Sequence, residues 1–416
     1  MAREMKDSGI AWIGRIPATW TLSKIGSLYT QRNEKVSDKD FAPLSVTMKG
    51  IVPQLETAAK TDDGDNRKLV RKGDFAINSR SDRRGSCGIS AYDGSVSLIN
   101  IILIPRGEMH PGYYDWLFHT SLFADEFYKW GHGIVDDLWT TRWQEMKAIC
   151  VPVPPYHDQE RISSFLNEKC AEIDAVLEKT RTSIEEYKKL KQAIITQAVT
   201  KGVHEDRPMK ESGIIWLDAV PADWKISKIK HTIFPHEKPV LPTDDVITCF
   251  RDGIVTLRKN RREEGFTVSF TENGYQGVDV GDLVIHGMDT FAGAIGCSDS
   301  RGKTSPVVHV CSTIGNNRYF MYFLRYMAYS NVLMEFSNGV RIRSSDFRNF
   351  KKLAIFEMLV PSLEEQNEIV DYLNSTLAKI DQIIKQKEML ISELETYKKT
   401  AIYEYATGKK EVEKYD

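Results

Sequence analysis

The sequence lacks most features of a secreted, membrane-bound or metal-binding protein. Its six cysteines stand singly without a CxxC pair, so neither a disulfide framework nor a cysteine-based zinc site is expected. No apolar run approaches the roughly 18 residues that a membrane-spanning helix needs. The first residues do not show the basic-then-apolar order of a signal peptide. We therefore expect a reduced, cytoplasmic protein without a metal.

Motifs that carry catalytic chemistry are also missing. There is no GxxxxGK[ST] phosphate loop, no GxGxxG after a strand and no HExxH, and the nine histidines are scattered. Val153-Pro154-Pro155-Tyr156 resembles the motif with which amino-methyltransferases hold a flipped base, but there the first residue is polar and accepts a hydrogen bond. Val153 has no side-chain acceptor. We expect no catalytic residue and no cofactor on this chain.

The charges are balanced. The 416 residues include 56 Lys and Arg against 58 Asp and Glu, which gives a net charge of −2. Nucleic-acid binding through net charge alone is therefore excluded, whereas local basic patches are not. A hydrophobic fraction of 41% is ordinary for a globular protein, and the length predicts two or three domains.

The chain repeats itself after about 205 residues. Residues 5–25 (MKDSGIAWIGRIPATWTLSKI) match residues 209–229 (MKESGIIWLDAVPADWKISKI), and residues 153–167 match residues 360–374. Solenoid repeats are much shorter, about 20–50 residues. The pattern therefore indicates a duplicated domain, each copy followed by a helix.

Two long stretches without proline or glycine follow the repeated domains. Residues 163–199 and 368–405 place apolar side chains three and four apart, with Glu and Lys elsewhere, as coiled coils do. Thr180 and Lys387 interrupt the two apolar stripes near their midpoints. We predict an antiparallel pair in which these residues share one level and fix the register. The alternative is that each helix packs only on its own domain.

The predicted fold is α+β or α/β, with two pseudo-symmetric domains separated by two long helices in an antiparallel coiled coil. The predicted boundaries are residues 1–155 for the first domain, 156–202 for the central helix, 203–361 for the second domain, and 362–416 for the C-terminal helix and tail. Helix ends are expected at Gly202 and near Gly408. Residues 111–131 and 317–339 predict one aromatic, amphipathic helix in each domain.

The repeated SGIxW opening and the repeated proline–glutamine motif before each long helix resemble the specificity subunit of type I restriction-modification systems, over essentially the whole chain. The resemblance implies a non-catalytic subunit with two target-recognition domains. Each domain would read one half of a bipartite, asymmetric site in double-stranded DNA. The helices would set the spacer and dock two methyltransferase subunits, which recruit restriction subunits. S-adenosylmethionine and ATP would bind those partners.

Loops that diverge between the two copies are the expected reading elements. Arginine can pair bidentately with guanine or contact phosphate, although any single arginine could equally be a solvated surface residue. The predicted DNA-binding residues are Ser79, Arg80, Arg83 and Arg84 in the first copy, and Arg251, Arg258, Lys259, His286, Met288, Arg301, Lys303, Arg341 and Arg343 in the second.

Two other functions stay open at this point. The chain could be a scaffold whose coiled coil joins partner proteins without DNA, or a stand-alone DNA enzyme with an unrecognised site. A neighbouring gene for an adenine methyltransferase would favour the specificity subunit over the scaffold. Cleavage or methylation by the purified chain alone would favour the enzyme.

Overall fold

The computed structural model describes residues 3–54, 64–133, 139–261, 273–335 and 347–412. The chain forms two compact units. The first comprises Met1–Thr180 with Glu388–Asp416, and the second comprises Arg181–Lys387. Each unit thus holds one copy of the duplicated domain and part of each long helix. Among the described residues, no helix is long and apolar enough to cross a membrane, and no group of three or more His, Cys, Asp or Glu residues is placed to hold a metal ion.

The first unit consists of short strands and short helices on the long helices. Its strands are β1 (Met5–Asp7), β2 (Arg15–Pro17), β3 (Thr21–Lys24), β4 (Tyr29–Arg32), β5 (Lys35–Val36), β6 (Leu44–Thr47), β7 (Gly50–Pro53), β8 (Arg67–Val70), β9 (Phe75–Asn78), β10 (Cys87–Ile89), β11 (Gly94–Val96), β12 (Asn100–Pro105) and β13 (Cys150–Val153). Its helices are α1 (Ile25–Leu28), α2 (Pro111–Phe118), α3 (Ser121–Lys129), α4 (Trp143–Met146) and the start of α5 (Tyr156–Lys201).

The second unit has the same kinds of element. Its strands are β14 (Met209–Lys210), β15 (Val220–Pro221), β16 (Lys225–Lys228), β17 (Ile233–Pro235), β18 (Ile247–Cys249), β19 (Val255–Leu257), β20 (Gln276–Val278), β21 (Leu283–His286), β22 (Ile295–Cys297), β23 (Gly302–Thr304), β24 (Val308–Thr313) and β25 (Glu357–Val360). Its helices are α6 (Asn317–Tyr329), α7 (Val332–Glu335), α8 (Phe350–Leu353) and the start of α9 (Leu363–Ala406).

The four-stranded sheets of the two units correspond strand by strand. The first unit contains a four-stranded sheet in the order β10-β9-β12-β4, and the second contains β22-β21-β24-β17. The small sheets β13-β3 and β16-β25 also correspond, as do the hairpins β6-β7 and β18-β19. The strands of the four-stranded sheets pair antiparallel, so each unit is α+β rather than α/β.

The aromatic helix of each unit packs on its sheet and forms the core. The side chains of Tyr113 and Leu117 on α2 are fully buried, as are those of Tyr319 and Phe323 on α6. Large aromatic side chains bury much apolar surface and dominate the stability of such a core. These residues therefore belong to the cores of their units.

The aromatic segment of each unit is broken into two helices, where the sequence predicted one. Thr120 ends α2 and starts α3, because its hydroxyl donates to Leu117 O at 2.8 Å and accepts from the backbone N–H of Phe123 at 3.2 Å. In the second unit Asn331, at φ 59°, separates α6 from α7. Threonine is a good N-cap and asparagine tolerates the left-handed conformation. The periodic pattern did not show either break.

The two long helices start earlier than their proline-free stretches suggested. Helix α5 begins at Tyr156, directly after two prolines, and α9 begins at Leu363, two residues after Pro361. Proline is accepted at the start of a helix, where its missing N–H has no partner to lose. The predicted ends are confirmed: Gly202 and Gly408 adopt left-handed conformations at φ 80° and 71°.

The long helices pair antiparallel within each unit. In the first unit Lys398 on α9 contacts Asp174 on α5 at 2.6 Å, and later residues of α9 meet earlier residues of α5. In the second unit Lys191 on α5 pairs with Asp381 on α9. The predicted antiparallel coiled coil is therefore confirmed.

The two polar interruptions have different environments. Thr180 is buried in the first unit, and its hydroxyl donates to the carbonyl of Val176 at 2.7 Å. Lys387 is in the second unit, with Nζ 5.7 Å from the ring centroid of Tyr187. It stays a prediction that Thr180 and Lys387 lie at the same level of the helix pair and fix its register.

Candidate nucleic-acid interface

The repeated glutamine before each long helix ties three parts of its unit together. Gln159 is buried, donates to Pro154 O at 2.8 Å and accepts from the backbone N–H of His110 at 2.9 Å. Gln366 makes the same two bonds, to Pro361 O at 3.0 Å and from the residue before α6 at 2.9 Å. The prolines after the last strand, the aromatic helix and the long helix of each unit are thereby fixed to one another.

The same hydrogen bonds show how residues 153–156, which resemble the base-binding motif of amino-methyltransferases, are used in this chain. In an amino-methyltransferase the prolyl carbonyl accepts a hydrogen bond from the flipped base. Here the carbonyl of Pro154 is already bonded to the Gln159 side chain, and the carbonyl of Val153 accepts from the Thr21 hydroxyl at 3.4 Å. The segment acts as a structural junction.

The repeated tryptophan of the opening motif is fixed by an acid on the long helix. Trp20 Nε1 donates to Asp158 at 3.3 Å, and Trp224 Nε1 donates to Glu365 at 2.7 Å. An arginine guanidinium lies over each ring, 5.2 Å and 5.5 Å from the centroid. Both indoles are buried, so these bonds satisfy a donor that water cannot reach.

The repeated Gly-Asp turn positions the strand that leads to each candidate loop. Asp74 accepts a backbone N–H three residues earlier at 2.8 Å and pairs with Arg32 at 2.7 Å. Asp282 makes the equivalent backbone bond at 2.8 Å and pairs with Lys238 at 2.6 Å. Strands β9 and β21 therefore start from the same fixed turn.

The residue that ends each of these strands caps the loop that follows. Asn78 Oδ1 accepts from the backbone N–H of Arg80 at 3.0 Å, and His286 Nδ1 accepts from that of Asp289 at 3.1 Å. Burial lowers the pKa of His286 below its ordinary value. Both observations favour the neutral imidazole, because a protonated Nδ1 could not accept this bond.

A second loop returns to the first in both units. The backbone N–H of Thr141 donates to Ser79 O at 3.0 Å, and that of Phe347 donates to Gly287 O at 2.8 Å. Two chain segments that are far apart in sequence thus meet at the same end of the sheet. The predicted residues Arg341 and Arg343 lie outside the described residues.

The predicted residues of the first loop differ in accessibility. Ser79 is buried, and its hydroxyl donates to a backbone carbonyl at 2.5 Å, so its role is local. Arg80 is half-buried, and its backbone bridges to the returning segment. Arg84 pairs with Asp125 and lies 5.5 Å from the ring centroid of Tyr128. The side chain of Arg83 is 68% exposed, with its Nε 3.5 Å from the Asp82 carboxylate.

Several cations of the second unit lie against acids. Arg251 contacts Asp289 at 2.9 Å, and Lys259 contacts Asp245 at 2.5 Å. Arg258 Nε donates to a threonine hydroxyl at 3.4 Å. A DNA phosphate or base would therefore have to replace an acidic partner at Arg251 and Lys259, which was not visible in the sequence.

Arg301 is held by two acids and a backbone carbonyl. Its guanidinium contacts Asp244 at 2.9 Å and Asp279 at 2.5 Å, and it donates to Pro239 O at 2.9 Å. The hydrogen bonds to these two acids raise its pKa above the ordinary arginine value. This geometry favours a structural role.

The remaining two predicted residues of the second unit are on different elements. Lys303 is half-buried on β23, opposite Gly277 of β20. Met288 lies in the loop after His286 and is 48% exposed. Met288 is thus available to a ligand, whereas His286 is engaged in capping the loop.

Sequence reasoning missed the hairpins β6-β7 and β18-β19. They contact β10 and β22, the strands that leave the two candidate loops. The available signal was the segment Leu44–Pro53, in which a Met48-Lys49-Gly50 turn separates two short β-branched runs.

The architecture defines a class of protein: two copies of one α+β domain, each built on part of an antiparallel helix pair, with divergent loops at one end of each sheet.

No family model matches the chain. It is 22% identical to the MjaX specificity subunit of a type I restriction enzyme from Methanocaldococcus jannaschii, over 98% of this chain and 92% of the relative. It is 24% identical to the MjaVIII specificity subunit from the same organism, over 53% of this chain and 50% of the relative.

Two solved structures share the fold. A chain from a type I restriction-modification system, studied for its assembly and conformational transition, aligns with a TM-score of 0.68 and 12% identity, covering 94% of this chain and 98% of that one. The HsdS subunit from Thermoanaerobacter tengcongensis aligns with a TM-score of 0.52 and 13% identity over the same shares. The resemblance to specificity subunits of type I systems is confirmed.

Proposed function

We propose that the chain is the DNA sequence-specificity subunit of a type I restriction-modification complex. The observation that carries the proposal is that one frame is built twice around different loops. The glutamine, tryptophan and aspartate contacts recur in both units, whereas the residues between them do not. Two domains of one build that carry different loops suit a target with two different half-sites.

Each domain reads one half of a bipartite, asymmetric site through the loops at the end of its sheet. In the first unit the exposed Arg83, with Asp82 at 3.5 Å, suits a guanine edge or a phosphate, and Arg84 lies beside it, paired with Asp125. In the second unit Arg251 and Lys259 exchange their acidic partners for DNA. The net charge of −2 means that these local cations, not the whole chain, supply the attraction.

The helices and the partner subunits complete the assignment. The antiparallel pair sets the distance between the half-sites, and two adenine-specific methyltransferase subunits dock on the chain. Restriction subunits join through that assembly, which acts in the cytoplasm. S-adenosylmethionine and ATP bind the partners, and this chain supplies no catalytic residue. The relatives are named as specificity subunits of type I restriction enzymes, which supports the role of this chain as the subunit that carries specificity.

Long-read sequencing of methylated bases in the host genome tests the proposal, with and without this gene. We expect one bipartite motif to lose its methylation in the deletion strain and to regain it on complementation. An unchanged methylome in a strain that expresses the complex would contradict the proposal and favour the scaffold function.

A further inference from the structure

Each unit carries a β-hairpin that packs against the strand leaving the candidate loop. In the first unit β6 and β7 pair through a two-residue turn, Met48-Lys49. The hydroxyl of Thr47 accepts from the backbone N–H of Lys49 at 3.1 Å and donates to Gly50 O at 2.9 Å, which fixes the turn. Met48 is 71% exposed at this tip. A large apolar side chain with so little cover has no packing role in the unit.

The base of this hairpin is fixed on the sheet. Leu44 and Ile51 belong to a small buried cluster with Ala76 of β9 and Ile102 of β12. The hairpin also meets β10 so closely that a Cβ at Gly88 would lie 2.8 Å from the Cα of Gly50. Only glycine permits this approach. The tip is therefore held in place by buried contacts.

That glycine contact brings the turn to the strand that leaves the candidate loop. Gly50 follows the turn directly, and Gly88 is two residues beyond Ser86, whose carbonyl accepts from the backbone N–H of Asn78 at 2.8 Å where the loop closes. The hairpin turn therefore lies against β10, the strand that leaves the loop 79–86.

The same arrangement recurs in the second unit. Residues of β18 and β19 share a buried cluster with Val284 and Val310, and a Cβ at Gly296 would clash with the carbonyl of Gly253 in the hairpin turn. Arg251 in that turn contacts Asp289 of the candidate loop at 2.9 Å. Hairpin and loop are therefore joined in both units.

The position of the hairpin is repeated but its tip is not. The tip reads Thr-Met-Lys-Gly in the first unit and Phe-Arg-Asp-Gly-Ile in the second. By contrast, the frame keeps Gln159 and Gln366, or Asp74 and Asp282, in the same contacts. An element that keeps its place and changes its chemistry between two reading domains is expected to determine specificity.

We propose that the hairpin tips are a second base-reading element in each domain, with Met48 and Lys49 acting in the first and Arg251 in the second. This inference rests on the proposed function. Met48 contacts an apolar base feature such as the thymine methyl group, while Lys49 and Arg251 reach guanine acceptors in the major groove. Each half-site is therefore read by a loop and a hairpin together.

The test uses the chain assembled with its methyltransferase subunits and a pool of duplexes randomised in both half-sites. Bound DNA is sequenced for the wild type, Met48→Ala, Lys49→Ala and Arg251→Ala. We expect Met48→Ala and Lys49→Ala to relax preference in the first half-site only, and Arg251→Ala in the second only. The relaxation at the affected position should be about 5- to 150-fold.

The matched control is Met209→Ala, because Met209 is 41% exposed on β14 and belongs to no loop or hairpin that is assigned to reading. Thermal unfolding of each variant shows that the fold is retained. Unchanged base preference in all three variants, or a uniform loss over all sequences, would overturn the hairpin inference alone. A wild-type complex with no sequence preference would instead overturn the proposed function.

Discussion

The glutamine that links strand, aromatic helix and long helix provides a sharp test of the repeated frame. Replacing Gln366 with leucine keeps the side-chain size and removes both hydrogen bonds. The carbonyl of Pro361 loses a donor at 3.0 Å, and the backbone N–H of Asn316 loses an acceptor at 2.9 Å. Gln366 is only 3% exposed, so water cannot replace either bond without opening the junction.

The expected cost follows from two buried polar groups left without partners. Each such group costs about 1–3 kcal/mol, so Gln366→Leu should lower the free energy of unfolding of the second unit by about 2–6 kcal/mol. For a unit of about 200 residues this corresponds to a fall in Tm of roughly 4–24 °C. Gln159→Leu should produce a similar loss in the first unit.

The variant Gln366→Glu makes one of the two hydrogen bonds depend on pH and leaves the other unchanged. A carboxylate still accepts from Asn316 but cannot donate to Pro361, and burial raises the pKa of such a group. Protonation restores the donor. Because the folded-state pKa is raised, the stability of this variant should be greatest at low pH and should fall as pH rises through that pKa.

Calorimetric melting at pH 5 and pH 8 measures both effects. Gln144→Leu is the control, because Gln144 is exposed on α4. A fall in Tm for Gln366→Leu no larger than that of the control would refute the argument that this bond pair fixes the frame. Equal stability of Gln366→Glu at both pH values would refute the assignment of donor and acceptor.

Four further predictions concern DNA recognition and stability. Arg83→Ala should weaken DNA binding more than Arg84→Ala, because Arg83 is 68% exposed with only Asp82 at 3.5 Å, whereas Arg84 pairs with Asp125 and also lies 5.5 Å from the ring centroid of Tyr128; competition binding to the cognate duplex measures the ratio, and the reverse order would contradict the assignment. Replacing residues 30–150 with the corresponding segment of a relative should change one half of the methylated motif, and a change in both halves would contradict one domain per half-site. Four residues inserted into α5, about 6 Å of helix, should lengthen the preferred spacer by about one or two base pairs; methylation at the original spacing would show that the helices do not set it. Burial lowers the pKa of His286, so the second unit should lose stability as pH falls below about 6.5, and His286→Asn, which copies Asn78 of the first unit, should remove that loss in a pH series of melting curves.

Much of the fold could be predicted because it depends on local patterns. The duplication, the long helices, their glycine ends and the strands after each Gly-Asp turn are visible as repeats and periodicities. The break of the aromatic segment at Thr120 was missed, because a threonine N-cap inside a strongly apolar run is a weak signal against the helical period. The pairing of the strands could not be predicted either, because the alternation of apolar and polar residues along a strand does not specify which other strand it pairs with.

The candidate site was only partly predictable, because its properties depend on contacts between residues far apart in the chain. The sequence marked Arg301 as a cation in a divergent loop, but the structure surrounds it with Asp244 and Asp279. It marked neither the hairpin tip at Met48 nor the return of Thr141 to Ser79.

By itself, the sequence determined that one domain occurs twice on two long helices and that its loops diverge, since these features follow from order and spacing along the chain. Only the tertiary structure decided which cations lie against acids and which loops meet at one end of each sheet. Ion pairing and loop convergence depend on distances of a few ångströms between segments that are dozens or hundreds of residues apart, and no local pattern encodes those distances.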